Sequence, residues 1–562
     1  MMEEMKVRIT NKNMELKECR SAWRKDDAHG CMCLEDILYT PSPAAARFQR
    51  LSIFVPVEYM NPDGTVNASG KKGIYSVLTA PVVFENNASG YSEMEHTFLG
   101  GPRNYADQYL QKGMVYVTCG CRGRQTKGED GTFVGKAPAT LVDFKMAIRF
   151  LRHNRKELPG NPDRMISVGW SAGGAMSALL GVTGNSPLFD EYLRSAGAFM
   201  EERDDVYAAQ VYCPIIDLEH ADLAYEWQFR EDADYEASPF SEAGTLTPFR
   251  KALSQKLSDA FIRYFNQMKL RNPRTGEELT IGPDGRSGSG YLFLMTELDR
   301  SATVYLQKLR RGTVPLACSV KEYLKGQYTV EVPDFNRLFG MMKKMEEEQK
   351  NMPQPQEKPD EESSYEGHGM RMELPKMPMK QLQGDDKGGW LSYDGEKAAI
   401  RDLDRYTLGH RRRMKGCPSF DFLGKESGEN QEYGDAHTDF VHFDPEIVHA
   451  LDALGEAFPE EYRIYHDEFA KVPKDAALMK REFLINPFSY IGTGEKCDIA
   501  KHFRINVGAQ DADTSFMMSM ILYLKLAGIS GEDAAWNLIW DQPHSEADYP
   551  GDVTAWIHKV CE

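Results

Sequence analysis

A serine flanked by glycines, placed between a β-strand pattern and a helix pattern, is the strongest constraint on the fold of this chain. The motif is Gly169-Trp170-Ser171-Ala172-Gly173. The strand pattern Met165–Val168 precedes it, and a small-residue helix pattern follows it to about Val182. In this arrangement the serine occupies a strained strand-to-helix turn, and its flanking positions are glycine because a Cβ would collide with neighbouring backbone. The turn predicts an accessible Ser171 hydroxyl at the carboxyl edge of a sheet.

The surroundings of the motif matter, because a GxSxG pattern alone is weak evidence in a chain with 47 glycines. The similar run Gly285-Arg286-Ser287-Gly288-Ser289-Gly290 has neither a strand pattern before it nor a helix pattern after it. The context therefore favours Ser171 as a nucleophile. A serine that only shapes a tight βα turn remains the alternative.

Strand and helix patterns alternate from about residue 50 to residue 215, which predicts a parallel α/β sheet. Pro138 opens a helix whose apolar residues repeat on one face. The alternation is lost after about residue 216 and returns near the end of the chain. The further strands are expected at 51–60, 80–85, 113–119, 504–507 and 536–540.

We therefore predict one α/β domain interrupted by a large inserted cap (lid). Residues 1–215 and 486–562 form the two parts of the core, and residues 216–485 form the cap. Within the cap, residues 346–390 are rich in proline and charge and offer little to bury. That composition predicts a disordered or mobile segment.

A serine becomes a nucleophile through a base, and the base needs an acid that orients it. In this class of fold the acid and then the histidine follow the serine, on loops after late strands. Asp511 follows the strand at 504–507, and His544 follows the strand at 536–540. This order predicts a triad of Ser171, Asp511 and His544. A helix-cap or turn carboxylate remains the alternative for Asp511, and a surface loop histidine for His544.

Hydrolysis of an ester also needs two N–H groups that stabilise the oxyanion. The N–H of Ala172, at the start of the helix after the serine, is one candidate. The second normally comes from a loop after an earlier strand. The loop from Asn86 to Tyr91 is the candidate, with Ser89 and Gly90 at its centre, and an ordinary βα loop is an equal alternative.

The charge balance bears on possible partners. Lys+Arg 67 against Asp+Glu 85 gives a net charge of −18, which argues against a nucleic-acid-binding protein, because such a protein needs a basic footprint. No apolar run approaches the ~18 residues of a membrane helix. The N-terminus lacks the apolar centre of a signal peptide, and ten cysteines are too sparse for a disulfide scaffold. A cytoplasmic location is expected unless a leader was removed, and the oligomeric state stays open.

Two polar clusters invite other interpretations. The first could be read as a metal site, but its histidine spacings of five and seven do not share a helical face, so polar cap residues are favoured. This cluster comprises His437, Asp439, His442, Asp444 and His449. The second is the basic run at residues 410–415, which is read as a solvated face or as a positive pocket for a phenolic or carboxylate substrate.

Further segments distributed along the chain carry a resemblance. They include Gly120-Cys121-Arg122-Gly123-Arg124, Tyr212-Cys213-Pro214-Ile215, Met414-Lys415-Gly416-Cys417-Pro418 and Asp511-Ala512-Asp513-Thr514-Ser515. With the serine motif, they resemble the bacterial subtype-B tannases, which are serine esterases of the α/β-hydrolase fold that cleave gallate esters. The resemblance covers most of the chain except the N-terminus and residues 346–390. It implies an α/β-hydrolase fold with a large cap and no metal or organic cofactor.

The resemblance places the family's triad on Ser171, Asp511 and His544. It places the galloyl-binding residues on Lys415, on Glu429 fourteen positions later, and on Asp513. A galloyl ring carries three adjacent hydroxyls, so two carboxylates can accept from them and an ammonium can serve the remaining oxygen. Exposed cap charges are the alternative for Lys415 and Glu429.

The expected function is thus hydrolysis of small aromatic gallate esters to gallic acid and an alcohol through an acyl-enzyme. The alternatives are a feruloyl or other aromatic carboxylesterase on the same fold, or a non-catalytic binding protein of that fold. Trp170 departs from the family, which has a smaller residue before the nucleophile, so the preferred ester is open.

Overall fold

The computed structural model of the protein describes residues 14–86, 88–101, 103–235, 243–326, 328–333, 376–380, 389–530 and 533–562. Its main element is a nine-stranded mixed sheet. Its strands are β1 (Arg24–Asp26), β2 (Cys31–Leu38), β3 (Arg50–Pro56), β6 (Pro81–Asn86), β7 (Val115–Cys119), β8 (Asn161–Trp170), β9 (Ala208–Tyr212), β16 (His502–Gly508) and β17 (Ala534–Ile539). The sheet order is β1-β2-β3-β7-β6-β8-β9-β16-β17. Neighbours are antiparallel from β1 to β7, and all later pairs are parallel.

The remaining strands form two-stranded ladders. They are β4 (Lys71–Lys72) with β5 (Tyr75–Ser76), β10 (Asp234–Tyr235) with β11 (Gly244–Thr245), β12 (Thr329–Pro333) with β13 (Lys376–Lys380), and β14 (Leu391–Tyr393) with β15 (Ala398–Ile400). Fifteen α-helices lie within the described residues. They are α1 (Ala106–Leu110), α2 (Ala139–His153), α3 (Ala172–Val182), α4 (Asp190–Ser195), α5 (Leu218–Phe229), α6 (Pro248–Gln267), α7 (Ser289–Arg310), α8 (Val320–Leu324), α9 (Leu403–His410), α10 (Gly428–Glu432), α11 (Pro445–Leu454), α12 (Pro459–Phe469), α13 (Ala476–Ile485), α14 (Phe516–Ser530) and α15 (Asp552–Cys561).

Strands β6, β7 and β9 are buried along their whole length, as is typical of strands that are covered on both faces. Helix α3 lies close against the sheet because its residues are small. A Cβ on Gly174 would lie 2.2 Å from the Tyr212 carbonyl oxygen, and one on Gly181 would lie 2.5 Å from the Phe503 ring. The small-residue pattern after Ser171 therefore reflects packing against β9 and β16.

The predicted alternation of strands and helices is confirmed, including the helix that Pro138 opens. The strand predicted over 51–60 is wrong at its end. Strand β3 stops at Pro56, and a 3-10 helix follows at Val57–Tyr59. Proline lacks the N–H that a continuing ladder needs.

The described chain forms two compact units. One comprises residues 1–230, 247–301 and 417–562, and the other comprises residues 231–246 and 302–416. The predicted cap boundaries at 216 and 485 stay a prediction. Of the segment 346–390, only residues 376–380 and 389–390 are described, so its predicted disorder lies mostly outside the described residues. In the part of the chain that is described, no helix has the length and apolar character needed to cross a membrane.

Candidate active site

The predicted catalytic residues follow neighbouring parallel strands of the sheet. Ser171 follows β8, Asp511 follows β16 and His544 follows β17. The loop containing Ser89 and Gly90 follows β6. Because the carboxyl ends of parallel strands meet at one edge of the sheet, these loops converge there, where ligands bind in open α/β sheets.

Ser171 occupies a strained turn. Its φ of 60° and ψ of −125° lie outside the regions that non-glycine residues ordinarily adopt. The turn is held because the Ser171 N–H donates to the Tyr212 carbonyl at 3.1 Å, and the Ser171 carbonyl accepts from the Ala175 N–H at 3.0 Å. A Cβ on Gly169 would lie 2.2 Å from Asn86 Oδ1, so this position admits only glycine.

A chain of hydrogen bonds joins the three residues. His544 Nε2 lies 2.8 Å from Ser171 Oγ, and His544 Nδ1 lies 2.9 Å from Asp511 Oδ2. Asp511 is fully buried, and its other oxygen accepts from the Asp513 N–H at 2.9 Å. The carboxylate is thus held from both sides, and it fixes the orientation of the imidazole. The structure brings these residues together as the sequence order predicted, and their catalytic roles stay a prediction.

The charge environment favours a protonated His544. Burial opposes the charged form, but the negative charges of Asp511 and Asp513 and the hydrogen bond to Asp511 outweigh it. Together they raise the pKa of His544 well above its ordinary value. An imidazole in this setting accepts a proton readily.

Helix-capping does not account for Asp511 or Asp513. The first turn of α14 is capped by Ser515, whose Oγ accepts from the Met517 N–H at 3.1 Å. The N-cap alternative is therefore not what the structure has at these two positions. Asp511 Oδ1 also accepts from the Thr514 N–H at 3.4 Å, so the alternative of a turn carboxylate stays open for Asp511.

The loop after β6 is braced at three carbonyls. The Ala88 carbonyl accepts from the Tyr91 N–H at 3.0 Å, and the Ser89 carbonyl accepts from the Ser92 N–H at 3.1 Å. The Gly90 carbonyl accepts from Arg124 Nε at 2.8 Å. Gly90 has a φ of 60°, a conformation that glycine adopts without strain. The bracing fixes the peptide planes on either side of Gly90.

Arg124 also reaches the helix that carries Glu429. Its guanidinium contacts the side-chain oxygen of Gln431 in α10. A Cβ on Gly428 would lie 3.4 Å from the Gly90 carbonyl oxygen. Arg124 therefore ties the loop containing Gly90 to the start of α10, where Glu429 lies half-buried in the first turn.

Asp513 is the predicted substrate-binding residue nearest to the hydrogen-bonded chain. Its side chain is 8 % exposed. Its Oδ1 is buried with no hydrogen-bond partner among the described residues. A buried carboxylate oxygen without a partner is costly unless a ligand supplies the donor. Lys415 is also buried and lies in the other compact unit, and its predicted grouping with Glu429 and Asp513 stays a prediction.

Residues of the two polar clusters noted in the sequence form hydrogen bonds and an ion pair with neighbouring residues of the protein. His442 Nδ1 lies 2.6 Å from Asp421 Oδ1, and its ring stacks on Phe469. Asp444 caps α11 by accepting from the Glu446 N–H. In the basic run, Arg412 pairs with Asp232 at 2.8 Å.

Cys213 is a site residue that the sequence reasoning missed. Its Sγ lies 4.0 Å from His544 Nε2 and donates to the Ser545 carbonyl at 3.2 Å. The available signal was its place directly after β9, at the same sheet edge. Cys213, Asp511 and His544 offer metal-ligand atoms within 4.8 Å of one another. Both nitrogens of His544 are already engaged by Asp511 and Ser171, an arrangement suited to proton transfer.

Comparisons with known proteins point to esterases and tannases. The sequence profile of the BD-FAE family matches residues 98–236. Esterase LipQ from Mycobacterium tuberculosis is 33 % identical over 89 residues, which span 16 % of this chain and only 20 % of the esterase. The tannin acyl hydrolase from Lactobacillus plantarum is 30 % identical over 95 % of this chain and 94 % of that chain, with a TM-score of 0.70. The Fusobacterium nucleatum tannase is 29 % identical over 95 % of both chains, with a TM-score of 0.70.

The sheet, the strained serine turn and these similarities define an α/β-hydrolase-fold carboxylic ester hydrolase. The identity to the Lactobacillus plantarum enzyme extends over nearly all of both chains. The chain belongs to the bacterial tannase family.

Proposed function

We propose that the protein hydrolyses gallate esters to gallic acid and an alcohol, with Ser171 as the nucleophile of an acyl-enzyme mechanism. The observation that carries this proposal is the hydrogen-bonded chain from Ser171 through His544 to buried Asp511, in a member of the tannase family. One structure of a related tannin acyl hydrolase, 30 % identical to this chain, is a complex with ethyl gallate.

In the first half of the reaction, His544 Nε2 takes the proton of Ser171 Oγ as the oxygen attacks the ester carbonyl. Asp511 orients His544 and stabilises its charged form. His544 then gives that proton to the leaving alcohol oxygen. In the second half, a water molecule attacks the acyl-enzyme with His544 as base, and gallic acid leaves as Ser171 regains its proton.

The oxyanion is held by two backbone N–H groups. The N–H of Ala172 belongs to the first turn of α3, where N–H groups have no partner within the helix and the helix dipole favours negative charge. The second N–H comes from the braced loop, at Ser89 or Gly90. Preorganised donors of this kind each contribute about 10²- to 10³-fold to kcat.

Galloyl recognition uses Asp513, Glu429 and Lys415. The unpartnered Oδ1 of Asp513 accepts one ring hydroxyl, and Glu429 accepts another. The ammonium of Lys415 serves the third oxygen. A site built on such bonds rejects analogues that lack the hydroxyls, because the buried Asp513 carboxylate would be left unpaired.

The decisive experiment is release of gallic acid from methyl gallate by the purified protein, beside methyl ferulate and 4-nitrophenyl acetate. A clear preference for methyl gallate is expected. A preference for methyl ferulate would instead assign a feruloyl esterase, and no turnover of any ester would assign a binding protein.

The environment of His544 predicts the pH dependence of hydrolysis. Only neutral His544 can act as the base, and its pKa is raised by Asp511 and Asp513. Activity should therefore be lost as the pH falls through this raised pKa, so the acid limb of kcat/KM lies above the ordinary histidine value of about 6.5. A pH profile with methyl gallate measures the limb. An acid limb at or below that value would contradict the expectation.

Arg124→Ala should lower kcat by about tenfold or more for every ester tested, since an oxyanion forms with all of them. Without the guanidinium, the Gly90 carbonyl and its neighbouring peptides lose their orientation. KM should change little, and added guanidinium ion should restore part of kcat. Arg155→Ala, on an exposed arginine, is the control. A loss of kcat confined to gallate esters would instead show that Arg124 acts by positioning Glu429.

We also propose a cytoplasmic location. Ten cysteines among 562 residues are too sparse for the disulfide scaffold typical of small secreted domains, which suits a reducing compartment. Cell fractionation with an antibody against the protein tests the location.

A further inference from the structure

The loop that carries His544 is held to the sheet on both sides of the histidine. This His544 loop comprises residues 540–551, between β17 and α15. Before the histidine, the Gln542 carbonyl accepts from a backbone N–H of the loop after β16 at 2.9 Å. After it, the Ala547 carbonyl accepts from Asn506 Nδ2 of β16 at 3.0 Å. The place of the imidazole at the sheet edge therefore depends on contacts that its loop neighbours make.

A buried ion pair makes the most directional of these contacts. Arg504 of β16 holds Asp548, which comes four residues after His544, through two parallel hydrogen bonds. The distances are 2.6 Å from Nη1 to Oδ2 and 2.7 Å from Nη2 to Oδ1. The two side chains are 9 % and 12 % exposed. Paired bonds of this kind fix the angle between guanidinium and carboxylate as well as their distance, so Asp548 holds the loop in one orientation.

Tyr212, the last residue of β9, joins this ion pair to the nucleophile. Its hydroxyl donates to Asp548 Oδ2 at 3.0 Å, and its carbonyl accepts from the Ser171 N–H at 3.1 Å. Arg504 lies on the strand that leads to Asp511. The same few residues therefore contact the strained serine turn, the strand before the acid and the loop of the base.

The position of His544 must be exact, because both of its nitrogens are engaged. Nε2 lies 2.8 Å from Ser171 Oγ, and Nδ1 lies 2.9 Å from Asp511 Oδ2. Moving the His544 loop outward would lengthen at least one of these hydrogen bonds. A misplacement of about 1 Å can lower a rate about 100-fold even when its cause is remote from the reacting atoms.

We propose that Arg504, Asp548 and Tyr212 are positioning residues for His544, which hold its loop at the distance where the imidazole reaches both Ser171 and Asp511. The proposal rests on the proposed role of His544 as the base of a serine esterase. The three residues act through the loop and not on the ester. Their loss should therefore affect every ester to a similar degree.

Asp548→Asn and Arg504→Gln each replace one charge of the pair with an amide. Each should lower kcat on methyl gallate by about 10- to 100-fold and leave KM little changed. Turnover of 4-nitrophenyl acetate, and the rate at which a fluorophosphonate labels Ser171, should fall by similar factors, because each needs a correctly placed His544. Thermal unfolding of each variant, followed as Tm, shows that the measured protein is folded.

The pH profile of kcat/KM separates positioning from a direct effect of charge. Burial opposes the charged form of His544, while Asp511, Cys213 and Asp513 raise its pKa. A His544 that lies farther from Asp511 has a lower pKa, so the acid limb should move to lower pH in both variants. A direct charge effect would move the limb to lower pH when the negative charge of Asp548 is removed, and to higher pH when the positive charge of Arg504 is removed.

A double variant and a matched control complete the experiment. Because the two residues act as one pair, Arg504→Gln with Asp548→Asn should lose no more kcat than the more damaging single variant. Asp205→Asn is the control, since Asp205 pairs with the buried Arg152 at 3.3 Å. Asp205 precedes β9 and thus lies toward the sheet edge opposite the site. Whatever its Tm, this control should keep the wild-type kcat and acid limb.

Three results would each overturn the proposal: wild-type kcat in folded Asp548→Asn, acid limbs that move in opposite directions, or losses that add in the double variant. If a charge variant does not fold, Tyr212→Phe decides, because it removes one hydroxyl and keeps the backbone contact to Ser171. It should show a smaller loss of kcat with the same direction of the acid limb, and wild-type values would contradict the proposal. If wild type is labelled by the fluorophosphonate but releases no gallate, the proposed substrate fails, and the labelling rates still test the positioning residues.

Discussion

Ser171→Ala is expected to lower kcat on methyl gallate by about 10⁴- to 10⁶-fold while the fold is retained. The alanine removes the hydroxyl that His544 Nε2 activates for attack, and that hydroxyl is not needed to hold the turn. The N–H and carbonyl of residue 171, which bond to Tyr212 and Ala175, are present in the variant. The residual rate would come from the oxyanion donors and from substrate binding.

A fluorophosphonate probe gives a second measurement, because it labels only an activated serine. Wild type should be labelled on the peptide containing Ser171, and Ser171→Ala should not be labelled. Ser287→Ala is the matched control, since Ser287 lies in an exposed glycine-rich loop and donates to Asp284 at 2.7 Å. Gallate release that survives Ser171→Ala, or a label on another serine, would contradict the proposed nucleophile.

The parts of the site that lie next to each other in the sequence could be predicted from it. The serine turn is a local motif, because a Cβ at position 169 would lie 2.3 Å from the Gly173 carbonyl oxygen of the same turn. Asp511 and His544 were predicted from their order after two late strands. Parallel strands bring their carboxyl ends to one edge, so strand order alone placed these loops near Ser171.

Contacts between distant segments could not be predicted in this way. Arg124 reaches Gly90 and Gln431, which are 34 and 307 residues away in the chain. Glu85 and Glu546 line one crevice from opposite ends of the sequence. No periodicity or motif records such pairings, since they depend on how loops cross the sheet edge. The sequence marked Trp170 as unusual, and only the structure shows that its ring lies beside His544 and Arg103.

The second large effect on kcat/KM is expected at Asp513, one of the residues proposed to bind the galloyl ring. Asp513→Asn should lower kcat/KM for methyl gallate by about 10- to 150-fold, because a hydrogen bond to a charged acceptor contributes about 1.5–3 kcal/mol. The same variant should lower kcat/KM for 4-nitrophenyl acetate far less, since that ester has no ring hydroxyl on its acyl group. The comparison is made on the plateau of each pH profile, because losing the Asp513 charge also lowers the pKa of His544 and moves the acid limb to lower pH.

Glu429→Gln tests the other carboxylate that is proposed to accept from a ring hydroxyl. It should lower kcat/KM for methyl gallate more than for 4-nitrophenyl acetate, without shifting the acid limb of the pH profile. Asp552→Asn, an exposed carboxylate in the first turn of α15, is the control and should leave both esters unaffected. The physical basis of the contrast is that Asp513 Oδ1 is buried without a partner in the described chain, so a ring hydroxyl relieves an existing cost that acetate cannot. Equal losses on methyl gallate and 4-nitrophenyl acetate would show that Asp513 acts on His544 alone, and would remove the galloyl ring from this part of the site.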